Sequence, residues 1–314
     1  MKYIATIGTF DGIHLGHQSI IDFVKKTASE KNLHSALITF EPYPSNILKK
    51  NQADKRLTTH SERMWIFRKL DINKILIIPF DKELASKSPS DFVKMLLSKI
   101  NIEALVVGYN FCFGEKRSGN SVTLQQLGEM LGFDVYVIPP LDFHNHIVSS
   151  SRIRNLVNKA SLDIACKLLG YPYSILGSIQ EGHGRGREIG FPTANMNITE
   201  NKLIPPDGVY FGKVHYKNKS LNALINLGAA PTAKREQKLL EAFIIDFKEN
   251  LYDKEIWVSL LKFHREIDTF SSFSDLKKQI ESDILQARIY FNKFTPGDSW
   301  LWSEKLSFKK SALH

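Results

Sequence analysis

From Gly8 to His17 the chain reads Gly-Thr-Phe-Asp-Gly-Ile-His-Leu-Gly-His, and this spacing of residue types suits chemistry on a phosphate. Gly8, Gly12 and Gly16 allow close backbone approach and positive φ. His14 and His17 can add hydrogen-bond donors or positive charge beside developing phosphate charge. A second candidate cluster lies at Val148-Ser-Ser-Ser-Arg-Ile-Arg154, where Ser150 and Ser151 open a helical pattern followed by Arg152 and Arg154. The planar guanidinium fork of Arg binds two phosphate oxygens at once. The bland alternatives are capping histidines and N-cap serines. A third segment, Gly177 to Arg187, is Gly-rich and basic, with Gly182 and Arg187 as phosphate-side candidates.

These residues need elements to hold them. The apolar run Tyr3–Gly8 predicts a buried strand, and Ile20, Ile21, Phe23, Val24 and Ala28 predict one face of a helix, so the first cluster falls on a strand-to-helix turn. Such a turn offers unpaired N–H groups and the positive end of a helix dipole. Alternation continues to about residue 150. Strands are predicted at Ser35–Phe40, Lys74–Phe80, Ala104–Gly108 and Val135–Pro139. Helices are predicted at His17–Lys31, Ser61–Lys69, Pro89–Ile100 and Thr123–Leu131. This is the pattern of an α/β doubly wound parallel sheet with helices on both faces. Its ligands bind at the carboxyl ends of the strands, which puts Gly8–His17, Phe40–Pro44 and Gly108–Gly114 along one rim.

A helix is predicted from Asn155 to Leu169, broken by Gly170-Tyr-Pro-Tyr173. Strands then follow without long helices between them: Ser174–Gln180, Gly208–Tyr216, Leu221–Leu227, Leu239–Phe247 and Ile256–His264. They predict a small closed antiparallel β-barrel, with a terminal helix over Ser274–Phe291 packed on it. The expected domains are 1–172 and 173–314.

Composition bounds the function. The 314 residues carry a formal net charge of +9, spread along the chain rather than massed with aromatics on one face, so nucleic acid is not an expected partner. No apolar run is long enough to span a membrane and no secretory leader opens the chain, so a membrane partner is not expected either. Cys112 and Cys166 suit a reducing cytoplasm rather than a disulfide framework. Oligomeric state is left open.

His14-Leu-Gly-His17 resembles the HxGH signature of nucleotidyltransferases, and the longer GTFDGIHLGH string resembles the opening motif of bacterial bifunctional riboflavin kinase/FAD synthetases. Phe40-Glu-Pro-Tyr-Pro44, Gly108-Tyr-Asn-Phe-Cys-Phe-Gly114 and Ser149–Arg154 are similar to the family segments FEPHP, GxDFxFG and SSTxIR. Tyr43 replaces His, Asn110 holds the Asp/Asn position as a binding residue, and Ser151 stands for Thr. In the second half, Gly190-Phe-Pro-Thr-Ala-Asn195 resembles the GFPTAN string of riboflavin kinases. Pro206–Tyr210, Asn226–Thr232 and Leu240–Phe247 resemble further kinase segments. Departures are Ala233, Ala242-Phe243 and Asp253, at pocket walls or turns.

The resemblance implies phosphorylation of riboflavin to FMN by ATP, then adenylylation of FMN to FAD. It implies Mg²⁺ held by Thr193 and Asn195, Glu241 as general base, and His14, His17 and Arg154 at the adenylyl site. Gly8, Phe10, Asp11, Gly12, Gly16, Asn110, Ser150, Ser151, Gly182 and Arg187 would bind ATP or phosphate, with Asp11 orienting the turn or touching the nucleotide. Expected partners are riboflavin, FMN, FAD and ATP. A nucleotidyltransferase with another acceptor, such as phosphopantetheine, leaves the barrel without a role. A flavin-sensing protein with decayed sites is the alternative from a non-enzyme class.

Overall fold

The structure, a computed structural model, describes residues 1–48, 55–143, 146–181, 186, 190–199, 201–217, 219–229 and 238–293. It divides into two compact units, 1–150 and 151–314.

In the first unit the elements run β1 (Tyr3–Ile7), α1 (Leu15–Glu30), β2 (His34–Glu41), α2 (Pro44–Leu48), α3 (His60–Lys69), β3 (Lys74–Pro79), α4 (Lys82–Ala85), α5 (Pro89–Lys99), β4 (Ile102–Gly108), β5 (Cys112–Phe113), β6 (Gly119–Asn120), α6 (Ser121–Leu131) and β7 (Asp134–Ile138). Five strands form one sheet in the order β3-β2-β1-β4-β7, and every pairing is parallel. Strand order reverses beside β1, so the crevice between the ends of β1 and β4 is the switch point at which such sheets bind ligands. Alternate residues serve opposite faces. Ala5 and Ile7 join Ile38, Phe92, Leu96, Val107 and Leu124 in one core, while Ile4 packs with Val24, Ala28, Ala104 and Val106 in another beneath α1.

Local signals explain the helix starts. Ser88 accepts from Asp91 N–H ahead of Pro89, as its sequence predicts. Thr59 and Glu62 form a reciprocal capping box at α3.

The second unit holds α7 (Ser150–Asn158, its first residue the last of unit one), α8 (Leu162–Leu169), β8 (Tyr173–Gln180), β9 (Ala194–Asn197), β10 (Gly208–Tyr216), β11 (Lys219–Ala229), β12 (Lys238–Ile244), β13 (Glu255–Arg265) and α9 (Phe273–Lys293). The single helix predicted over Asn155–Leu169 is therefore two. Ala160 adopts φ 55°, and Ser161 N–H donates to Leu156 O, ending α7 without the glycine that would have announced it. The barrel closes in the order β10-β11-β12-β9-β8-β13, six antiparallel strands where the pattern predicts five. The extra strand is β9, four residues long.

Met196, Tyr210, Val214, Ile225, Leu240, Val258 and Leu260 fill the interior, all fully buried. On the opposite, outward face of these strands runs a buried polar chain, His215 Nε2 to Ser259 Oγ at 2.8 Å and Ser259 Oγ to Ser174 Oγ at 2.8 Å. Outside, α9 packs Ala287 and Ile284 against Phe211, Leu224 and Ile245. Asp283 ties this helix down. It accepts from Arg265 Nη2 at 2.8 Å and Gln279 Nε2 at 2.8 Å, with His264 Nε2 at 3.1 Å. Burial opposes its charge, but these partners hold the carboxyl below the usual range.

Candidate functional site

The turn after β1 is held by strained backbone and by buried side chains. Phe10 (φ 52°) and Ile13 (φ 35°) adopt positive φ on either side of Gly12 (φ 81°). Side-chain-bearing residues persist there only where their surroundings over-determine them. Phe10 and Ile13 are both buried in the core. Asp11 supplies the rest. Its Oδ1 accepts from Thr58 N–H at 3.1 Å and Thr58 Oγ at 3.3 Å, and Leu57 N–H donates to Oδ2 at 3.3 Å. Asp11 is thus turned inward, orienting the turn. Ser150 Oγ donates to Asp11 O at 2.8 Å, joining the serine cluster to the first motif.

His14 is the N-cap of α1. Its Nδ1 accepts from His17 N–H at 3.3 Å, which leaves the ring proton on Nε2. The capping reading of His14 is thus true, and compatible with a donor role for its other nitrogen. The His17 ring stacks on His14 with centroids 3.7 Å apart and meets the Phe10 edge at 5.2 Å. Burial, reinforced by His14, pushes the His17 pKa well below the usual histidine value. His17 is neutral at pH 7, so of the two contributions its sequence suggests, donor and charge, the geometry keeps the donor. Gly16 has a steric reason: a Cβ there would lie 3.2 Å from His14 Nδ1. Leu15 and Gly16, in the first turn, have N–H groups with no intrahelical acceptor.

Behind this turn stands Arg63, which the sequence reading passed over. It is fully buried on α3. Nη1 donates to Thr9 O at 2.8 Å, and Nη2 to Phe40 O at 3.0 Å and Glu41 Oε2 at 2.8 Å. One side chain thereby joins the loop after β1 to the end of β2. Tyr43 lies between Arg63 and Arg56, whose guanidinium carbons stand 4.3 and 3.9 Å from its ring centre. Burial pushes its phenol pKa up, and the hydroxyl stands 3.4 Å from two acceptors, Asp11 Oδ1 and Thr58 O. Asn110 is exposed after β4, the neighbour of β1, and its side chain makes no hydrogen bond among the described residues. Arg154 lies on α7, in the second unit.

The second cluster is built by strand register. Glu241 on β12 stands opposite Asn195 on β9 and opposite Asn226 on β11. Leu240 and Ala242 point into the barrel, so this row lies on its outer face. Asn226 Nδ2 donates to Glu241 Oε2 at 3.1 Å. Asn195 Nδ2 donates to Thr193 O at 3.4 Å. Gly186 crosses closely here: Phe191 N–H donates to Gly186 O at 2.7 Å, and a Cβ on Gly186 would fall 2.4 Å from Phe191 O. Gly182 and Arg187 lie outside the described residues.

One group of candidate residues thus stands at the switch point of a parallel sheet and the other on the outer wall of a barrel. The family model for FAD synthetase matches residues 1–152, and that for riboflavin kinase matches residues 169–291. A bifunctional riboflavin kinase/FMN adenylyltransferase of Buchnera aphidicola subsp. Schizaphis graminum is 38% identical over 293 residues, covering 91% of this chain and 93% of its own. The protein of the same description from Escherichia coli strain K12 is 32% identical over 295 residues, covering 93% and 94%. A crystal structure from Streptococcus pneumoniae, described as that of a macrolide-efflux protein, matches with a TM-score of 0.84 at 27% identity, over 91% of this chain and 94% of its own. The chain belongs to the bifunctional riboflavin kinase/FMN adenylyltransferase family. No helix among the described residues is long and apolar enough to cross a membrane.

Proposed function

We propose that residues 173–314 phosphorylate riboflavin and residues 1–172 adenylylate the product. The protein is a riboflavin kinase and FMN adenylyltransferase that uses ATP twice. The observation that carries the assignment of residues is the placement of Glu241 directly across from Asn195.

In the kinase step Glu241 takes the proton of the ribityl 5′-hydroxyl, whose oxygen attacks the γ-phosphorus as ADP leaves. The Thr193 hydroxyl and Asn195 carbonyl are hard oxygen donors suited to Mg²⁺, which takes few protein ligands. When bound, the ion neutralises charge on phosphate oxygens. In the second step the FMN phosphate attacks the α-phosphorus of ATP and pyrophosphate leaves. Phosphate is already a competent nucleophile, so this site needs no base. The start of α1, with His14 and the neutral His17, and the guanidinium of Arg154 stabilise the charge that develops. Gly8, Phe10, Gly12 and Gly16 shape the turn, Asp11 orients it, and Asn110, Ser150 and Ser151 bind nucleotide. The free thiols of Cys112 and Cys166 support a place in the reducing cytoplasm.

The test is incubation of the purified protein with riboflavin, ATP and Mg²⁺, with flavins resolved by chromatography over time. FMN should appear and give way to FAD. Glu241→Gln should lower FMN formation by about 10²–10⁴-fold while FAD synthesis from supplied FMN persists, and His17→Ala should do the reverse. Equal loss of both activities in either variant would sink the two-site reading.

A further inference from the structure

A carboxylate on a strand can serve as a base only if one oxygen is presented and its plane is held. The terminal torsion of Glu is broad and roughly two-fold, so the strand alone does not hold it. Two amides flank Glu241, yet only one touches it. Asn195 turns its nitrogen to Thr193 O. Asn226 turns its nitrogen to Glu241 Oε2 at 3.1 Å, and the amide assignment follows because an ionised carboxylate has no proton to give. The other oxygen, Oε1, makes no hydrogen bond among the described residues.

We infer that Asn226 is a positioning residue for phosphoryl transfer, acting through Glu241. Its donated hydrogen bond occupies Oε2, fixes the carboxylate plane and leaves Oε1 to receive the proton of the attacking hydroxyl. The balance is complete: the O–H bond breaks as its proton passes to Oε1, and the hydroxyl oxygen forms the new bond to the γ-phosphorus. The bond from that phosphorus to the bridging oxygen breaks with its electron pair leaving on ADP. Asn226 exchanges no proton and touches no reacting atom. The inference rests on the reading of Glu241 as base. It also gives the first residue of the Asn226–Thr232 string a role.

The test uses the full chain, with FMN formation followed under steady-state conditions in Asn226→Ala, Asn226→Asp, Asn226→Ser, Glu241→Gln and the double variant N226A/E241Q. A misplaced reacting group costs up to about 10²-fold, so Asn226→Ala should lower kcat about 10- to 100-fold. The KM values for riboflavin and ATP should stay within about twofold, since uniform binding is untouched. Asn226→Asp keeps the shape but loses the donor, and should be at least as slow as alanine. Asn226→Ser restores a shorter donor and should recover part of the rate. In the Glu241→Gln background, Asn226→Ala should cost nothing more, because a residue that acts only through Glu241 has nothing left to act on. FAD synthesis from supplied FMN reports whether the chain is intact.

Wild-type kcat in Asn226→Ala, or a full further loss in the double variant, would overturn the role of Asn226. So would a serine variant as slow as alanine with unchanged FAD synthesis. Unimpaired Glu241→Gln would instead overturn the base itself, and the two failures are thereby distinct.

Discussion

Replacing Arg63 by Met tests how the adenylyl-transfer site is braced. The change removes three donated hydrogen bonds of very unequal weight. Thr9 is exposed, so water can replace the guanidinium at its carbonyl. The Glu41 side chain is 33% exposed and keeps His60 Nδ1 at 2.7 Å, so water and His60 take over part of what the buried Arg63 gives it. Phe40 O has neither escape. It is buried, and stranding it costs about 1–3 kcal/mol. Met refills most of the volume and removes a buried cation whose Nε makes no hydrogen bond among the described residues, which offsets part of the loss. The net expectation is a loss of about 2 kcal/mol from the first unit.

With a denaturant slope of roughly 1–3 kcal/mol/M in urea, that lowers a midpoint by about 1 M. The two activities serve as unit-specific probes. The urea midpoint for FAD formation from FMN should fall by that amount, and the midpoint for FMN formation should stay. An FAD midpoint within 0.2 M (roughly 0.5 kcal/mol) of the wild type would refute the bracing argument.

Two further outcomes are expected. Gly16→Ala places a Cβ 3.2 Å from His14 Nδ1, so the imidazole must shift while the helix gains propensity; FAD formation should drop about tenfold with no loss of stability, read by kcat beside a melting curve. His215 bears on the barrel's acid stability: burial, then nearby Lys213, drives its pKa to about 3. Above pH ~6.5 neither folded nor unfolded chain protonates it. Between about 6.5 and 3 the unfolded chain takes a proton that the folded one refuses, so stability falls by about 1.4 kcal/mol per pH unit as pH drops, roughly 2 kcal/mol by pH 5. His215→Asn should flatten that dependence in urea titrations at pH 7.5 and 5, and an unchanged slope would refute it.

The order of helices and strands in the first unit was legible because buried parallel strands are short apolar runs, and Ser88-Pro89 marks a helix start without ambiguity. Strand β9 was not. Four residues that read Ala-Asn-Met-Asn carry only Ala194 and Met196 inward, too short a pattern to show a period of two. The break at Ala160 was hidden because alanine there takes a conformation that sequence associates with glycine. Of the site, the motif residues were visible as types and spacing. Their supports were less so. Arg63 had one available signal, a charged residue three and four positions before Ile66 and Phe67 on the buried face of α3. Such a residue is seldom buried without partners. The neutrality of His17 depends on the ring stacked beside it, which no spacing discloses.

Barrel closure has a consequence for synthesis. The parallel sheet is complete once Ile138 has been made, but β8 pairs with β13, and Arg265 ends that last strand. Because β8 must wait for its partner, the barrel is a fold of distant contacts, slow to form. At roughly 5–20 residues per second on the ribosome, the barrel's first strand stays without its final partner for several seconds or more. The unit that consumes FMN is thus assembled before the unit that makes it, and during that interval the nascent chain exposes strand edges that only its own later sequence can cover.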